Sequence, residues 1–247
     1  MKSNANLENK LTTAQRQCES GDYEAAYRLY AEVRDADPAY GGSRLGLDNV
    51  RLALKKHLTP PLRWQIVSRL MFHEYQKGNF KAAVDTGRVY VVDEPENYGF
   101  WEILGAASSA AREAEFAVSC FERAVRLSPQ SAQAHSNLGV AYKSVGQLAS
   151  SEAAYRTAIS LDGNQAEPLN NLGNLLIEMG RAEEAIGFLK MALHLLPNYG
   201  DAHTNLGIAL HKVGELEGAL QSYRTALEIN SDDSKLHNNL GVTLQML

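Results

Sequence analysis

One tripeptide, Asn-Leu-Gly, returns at a constant interval. It begins at Asn137, Asn171, Asn205 and Asn239, every thirty-fourth position. A second phrase, Tyr-Arg-Thr-Ala, stands at 155–158 and again at 223–226, two of those intervals later. Aligned without a gap, residues 132–165 and 200–233 share 13 identities, where chance gives about two, so the period is a duplication. A period of this length marks one supersecondary unit that cannot bury its apolar side alone. It does so by stacking on copies of itself. The same register defines units 64–97, 98–131, 132–165, 166–199 and 200–233, a half unit 234–247, and an isolated earlier unit at 7–40.

Each unit reads as two short amphipathic helices. In 132–165 the first carries Leu138, Ala141, Tyr142 and Val145 at helical spacing, and the second carries Leu148, Ala154, Tyr155, Ala158 and Leu161. Gly146 separates them, where a left-handed residue ends a helix at low cost. Gly21, Gly78, Gly180 and Gly214 repeat that punctuation, and Pro38, Pro95, Pro129 and Pro197 close second helices. Gly105, Gly139, Gly173, Gly207 and Gly241 fall in mid-helix, where glycine costs about 1 kcal/mol relative to alanine. Their recurrence predicts close helix approach, with Ala117, Ser151, Ala185 and Ala219 as the facing residues. Phe121, Tyr155, Leu189 and Tyr223 are expected to fill the seam between hairpins.

This combination resembles the tetratricopeptide repeat (TPR): Leu-Gly in the first helix, Gly at the turn, Ala-aromatic-Ala in the second helix, then Pro. The resemblance implies an all-α fold, an alpha-alpha solenoid forming a right-handed TPR superhelix whose first helices line the concave face. Departures are local: Arg112 replaces the turn glycine, Ser151 replaces alanine and Gly163 replaces proline. Residues 41–63 leave the register. Leu45, Leu47, Val50, Leu54 and Leu58 give one more helix after Gly41-Gly42, and Thr59-Pro60-Pro61 breaks the chain. The expected organisation is an N-terminal helical piece, 1–61, and a main stack, 62–247. The last half unit carries Leu236, Leu240, Leu244 and Leu247 on a helix without its partner. That predicts either a chain continuing past 247 or a last helix that caps the stack or self-associates.

The asparagines form the candidate site. Asn137, Asn171, Asn205 and Asn239 share one place in successive first helices, too far inside the helix to cap it. A carboxamide both donates and accepts, so it can hold a peptide backbone without reading side chains. The column is similar to the asparagine ladder of the TPR superhelix in O-linked N-acetylglucosamine transferases, which implies an extended polypeptide as ligand. Arg69 and Ile103 occupy the matching places earlier in the chain. Asn170, Asn174, Thr204, Ile208, Asn238 and Val242 are the neighbouring groove candidates. The two-carboxylate clamp of chaperone-binding TPR proteins is matched at Asn174, Asn205 and Lys235 only; Asn170 and Asn239 stand where that clamp needs cations. A column that merely bonds neighbouring repeats to one another is the competing reading.

The remaining features exclude more than they suggest. The net charge is −5 and no Lys/Arg run exceeds two residues, which argues against a nucleic-acid face. Cys18 and Cys120 read as helix residues without a disulfide framework. No leader or membrane span is evident, and a cytoplasmic location is expected. His135, His203 and His237 share one register place, but successive repeats hold equivalent atoms about 10 Å apart, too far for one metal ion. No nucleophile elbow, phosphate-binding loop or zinc-protease motif is present. The expectation is therefore a non-catalytic protein-interaction scaffold, without cofactor or metal. The alternative is the substrate-recruiting front of a larger enzyme, of sulfotransferase or glycosyltransferase type, whose catalytic domain follows residue 247.

Overall fold

The computed structural model describes residues 2–37, 41–93 and 95–247, and the side chains of these except at 2–5 and 41–45. Among the described residues all regular structure is helical, as the repeat requires. The chain divides into two compact units, Met1–Leu127 and Ser128–Leu247.

The first unit contains α1 (Lys2–Glu19), α2 (Tyr23–Ala36), α3 (Gly41–His57), α4 (Pro60–Gln76), α5 (Phe80–Arg88), a short 3-10 turn (Val91–Asp93), α6 (Tyr98–Ala110) and α7 (Ala114–Leu127). Leu47, Val50 and Leu54 of α3 are buried as their spacing predicts. Leu45 and Pro38 lie outside the described side chains. Pro60 and Pro61 open α4 rather than separating two bodies. Proline fits the first helical turn, where its missing N–H has no intrahelical partner in any case. One apolar cluster runs from Ala14 through Trp64 to Ala124, so packing is continuous across 60–61 and this unit ends at Leu127. Cys120 is fully buried in that cluster, and burial pushes its thiol up to about 12.

The second unit contains three hairpins and a last helix: α8 (Ala132–Ser144) with α9 (Leu148–Leu161), α10 (Ala166–Glu178) with α11 (Ala182–Leu195), α12 (Gly200–Lys212) with α13 (Leu216–Ile229), then α14 (Ser234–Gln245). Leu172, Leu175, Leu176 and Leu189 are fully buried at its centre. In α14, Leu236 is buried while Leu244 is exposed, as is Leu247 beyond the helix end.

The turn inside each hairpin is the same device. Between α8 and α9, Gly146 N–H donates to Lys143 O and Gln147 N–H reaches back to Tyr142 O, a bond that closes only around a left-handed residue. The five turn glycines have φ between 75° and 87°. Arg112 adopts the same conformation at φ 63°, and Glu113 N–H still donates to Ser108 O at 2.8 Å. The departure from glycine thus leaves the turn intact and puts strain into it.

The mid-helix glycines have a different partner from the one their neighbours suggest. A Cβ on Gly105, Gly139 or Gly173 would stand 2.8, 2.6 or 2.6 Å from Phe121, Tyr155 or Leu189 respectively, and a Cβ on Gly207 would overlap the Tyr223 ring. Each large side chain lies on the glycine of its own hairpin, so small sits under large rather than small against small. The expected small partner contributes at Ser151, whose hydroxyl donates to Gly139 O at 2.7 Å. In the repeat at 64–97 the pair is inverted. Met71 stands at the glycine place and Gly87 at the aromatic place, with the Met71 sulfur 2.5 Å from where a Gly87 Cβ would be. Gly241 has nothing within 4 Å.

Candidate peptide-binding face

The site residues all belong to the second unit and sit on its first helices, α8, α10, α12 and α14. They do not behave as one uniform column. Asn205 Nδ2 donates to Asn170 Oδ1 at 2.9 Å, and Asn174 Nδ2 donates to Asn205 Oδ1 at 3.2 Å. Asn170 Nδ2 in turn donates to the Tyr199 hydroxyl at 3.3 Å. At the other end, Lys143 Nζ donates to Asn174 Oδ1 and pairs with Glu178 at 3.2 Å. A continuous polar chain therefore bridges α8, α10 and α12. Asn170 is only 5% exposed, so burial makes this bonding necessary, since an unsatisfied amide would carry its full desolvation cost. Burial and the nearby Asp201 and Glu167 carboxylates raise the Tyr199 hydroxyl, which keeps its proton.

The remaining members differ. The Asn137 side-chain oxygen accepts from Gln133 at 2.9 Å, within α8. Among the described residues, the side chains of Asn171 and Asn239 make no hydrogen bond, and both are half-buried. Lys235 and Lys212 are exposed and form no ion pair among the described residues. Asn239 lines a cavity of about 400 Å³ between α12 and α14 with Ile208, His211, Lys212, Tyr223 and Val242. Thr243 clips these helices together. Its hydroxyl donates to Asn239 O at 2.8 Å and stands 2.9 Å from His211 Nδ1, so the imidazole donates there and its tautomer is set.

The histidine column has a structural task. Nε2 of His135, His203 and His237 lies 3.1, 2.8 and 2.9 Å from the carbonyl oxygen of Pro129, Pro197 and Ser231 respectively, in the turn just before each helix. Trp101, at the same repeat place in the first unit, does the same with Pro95 O at 2.7 Å. A carbonyl only accepts, so each ring donates and fastens the turn that leads into its own helix. Spacing alone did not reveal this job. The tryptophan at the same register place was the available signal, because indole is a donor and never a metal ligand.

Among the second helices of the same unit, Glu152, Arg156, Arg181 and Glu184 close a ring of ion pairs that joins α9 to the start of α11. The Arg181 hydrogen bond holds Glu152 below the usual carboxylate range, and Arg156 does the same for Glu184.

Hairpins closed by left-handed glycines, with each knob seated on a glycine of its own hairpin, define a helical-repeat solenoid protein. Residues 132–165 and 154–187 match models described as tetratricopeptide repeats, and residues 209–247 match one described as a TPR repeat. The chain thus contains tetratricopeptide repeats. Among solved structures it is similar to MamA, at 23% identity over 66% of this chain and 95% of that one, with a TM-score of 0.59. It is also similar to YrrB, described as a TPR protein with an unusual peptide-binding site, at 18% identity over 74% of this chain and 91% of that one, with a TM-score of 0.59. A chain of the APC/C hetero-tetramer Cut9–Hcn1 is 15% identical, and the match covers 91% of this chain and 46% of that one with a TM-score of 0.64. No curated protein matches the sequence. Likenesses at these identities establish the fold.

Proposed function

We propose that the chain is a non-catalytic scaffold that holds an extended polypeptide along the first helices of residues 128–247. The observation that carries this reading is the division of labour among the asparagines. Asn170, Asn174 and Asn205 bond to one another across helices, while Asn171 and Asn239 keep both donor and acceptor available. The bonded group fixes the spacing of α10 and α12, and the two uncommitted amides are the contacts offered to a peptide backbone. YrrB, with its described peptide-binding site, supports the reading by fold analogy alone.

The test begins with selection of binding sequences from a phage-displayed dodecapeptide library. Titration calorimetry then compares the wild type with the double variant Asn171→Ala/Asn239→Ala. Two lost amide contacts of about 1 kcal/mol each predict roughly thirtyfold weaker binding. Unaltered affinity in a variant with wild-type circular dichroism overturns the assignment.

A further inference from the structure

Resting on that reading, we propose that the cavity between α12 and α14 selects the bound segment by taking the carboxylate side chain of an aspartate or glutamate. The floor of the cavity is Tyr223, only 2% exposed, whose ring lies on Gly207. Its hydroxyl makes no hydrogen bond among the described residues. That hydroxyl reaches solvent rather than being sealed in the core, so it is free to donate to a ligand atom. Burial pushes the Tyr223 phenol up to about 12, so it keeps its proton and remains a donor.

Carboxamide and ammonium groups add donors, while the His211 ring, whose Nδ1 donates to Thr243, keeps Nε2 as an acceptor. Asn239 lines the cavity with an uncommitted amide, and Lys212 stands there with an unpaired ammonium group. No carboxylate lines it among the described residues. Three donors, one of them charged, suit an anionic oxygen pair. Ile208 and Val242 supply an aliphatic wall for the methylenes of an acidic side chain. This donor set is distinct from the two-carboxylate clamp, which lacks its cations at Asn170 and Asn239.

The experiment uses the full chain and a positional-scanning library of N-acetylated, C-amidated nonapeptides that includes phosphoserine. The amide ends remove the terminal carboxylate as a source of binding. Wild type is expected to enrich Glu or Asp at one position. Lys212→Ala and Tyr223→Phe are each expected to lower that preference about fivefold or more, with the other positions unchanged. Tyr223→Phe leaves the ring on Gly207, so its unfolding temperature serves as the control for folding. Absence of acidic enrichment, enrichment that survives both substitutions, or a preference for phosphoserine over glutamate overturns the subsite. Peptide binding without acidic preference leaves the scaffold reading standing, whereas failure of every peptide to bind removes both.

Discussion

Alanine placed at two equivalent glycines of the repeat has opposite consequences. In the middle of a helix, Gly→Ala gains about 1 kcal/mol because the unfolded chain loses freedom. At Gly241 the new Cβ meets nothing within 4 Å, so Gly241→Ala is expected to stabilise the chain by about 0.5–1 kcal/mol. At Gly207 the same Cβ would lie 2.5 Å from Tyr223 Cδ1, and Tyr223 is only 2% exposed, so the ring cannot swing into solvent. Overpacking of a core contact costs about 1–3 kcal/mol, which exceeds the gain. Gly207→Ala is therefore expected to destabilise by up to about 2 kcal/mol. Urea unfolding of the two variants beside wild type measures both, with the slope compared to confirm that the same surface is exposed. Two stabilised variants of equal size would refute the argument that the glycines make room for the ring.

Two further outcomes follow from strain and charge. Arg112→Gly relieves a left-handed residue costing about 1–2 kcal/mol, offset in part by glycine's extra freedom when unfolded. A net gain of about 0.5–1 kcal/mol in urea unfolding is expected; a loss would mean that the arginine side chain does something the turn geometry does not show. Glu152 and Glu184 have lowered folded-state pKa values. Their stabilisation is present above the usual carboxylate range and fades as pH falls through the folded values. The unfolding temperature should drop on acidification more in wild type than in Arg181→Gln, and parallel pH profiles would exclude the ion-pair ring as the cause.

The tandem hairpins were legible because a unit that stacks on itself must repeat its core residues in register, and left-handed turns select glycine. What stayed hidden was which partner each residue meets. A glycine in one helix and an aromatic in the next do not announce their contact, since two small residues also stand at facing places. Met71 with Gly87 keeps the same large-on-small contact while both identities change, which no identity pattern records. Pro60-Pro61 looked like a boundary because proline stops a helix, yet it starts one equally well. At the site, the sequence marked the asparagines as equivalent. The hydrogen bonds make them unequal, because Asn170 and Asn174 both bond Asn205 on the facing helix while Asn171 stays outside that network. Asparagines at 170 and 174, one turn apart and both alongside the column, were the signal of inter-helix bonding.

The side-chain amide resonances of the asparagines, followed by NMR as a library-selected peptide is titrated into the chain, decide how the face is used. The account predicts that the Asn171 and Asn239 Nδ2 signals move on saturation, while those of Asn170, Asn174 and Asn205 hold their positions within their own network. Shifts confined to the latter three, or to none of the five while the peptide binds, would contradict it.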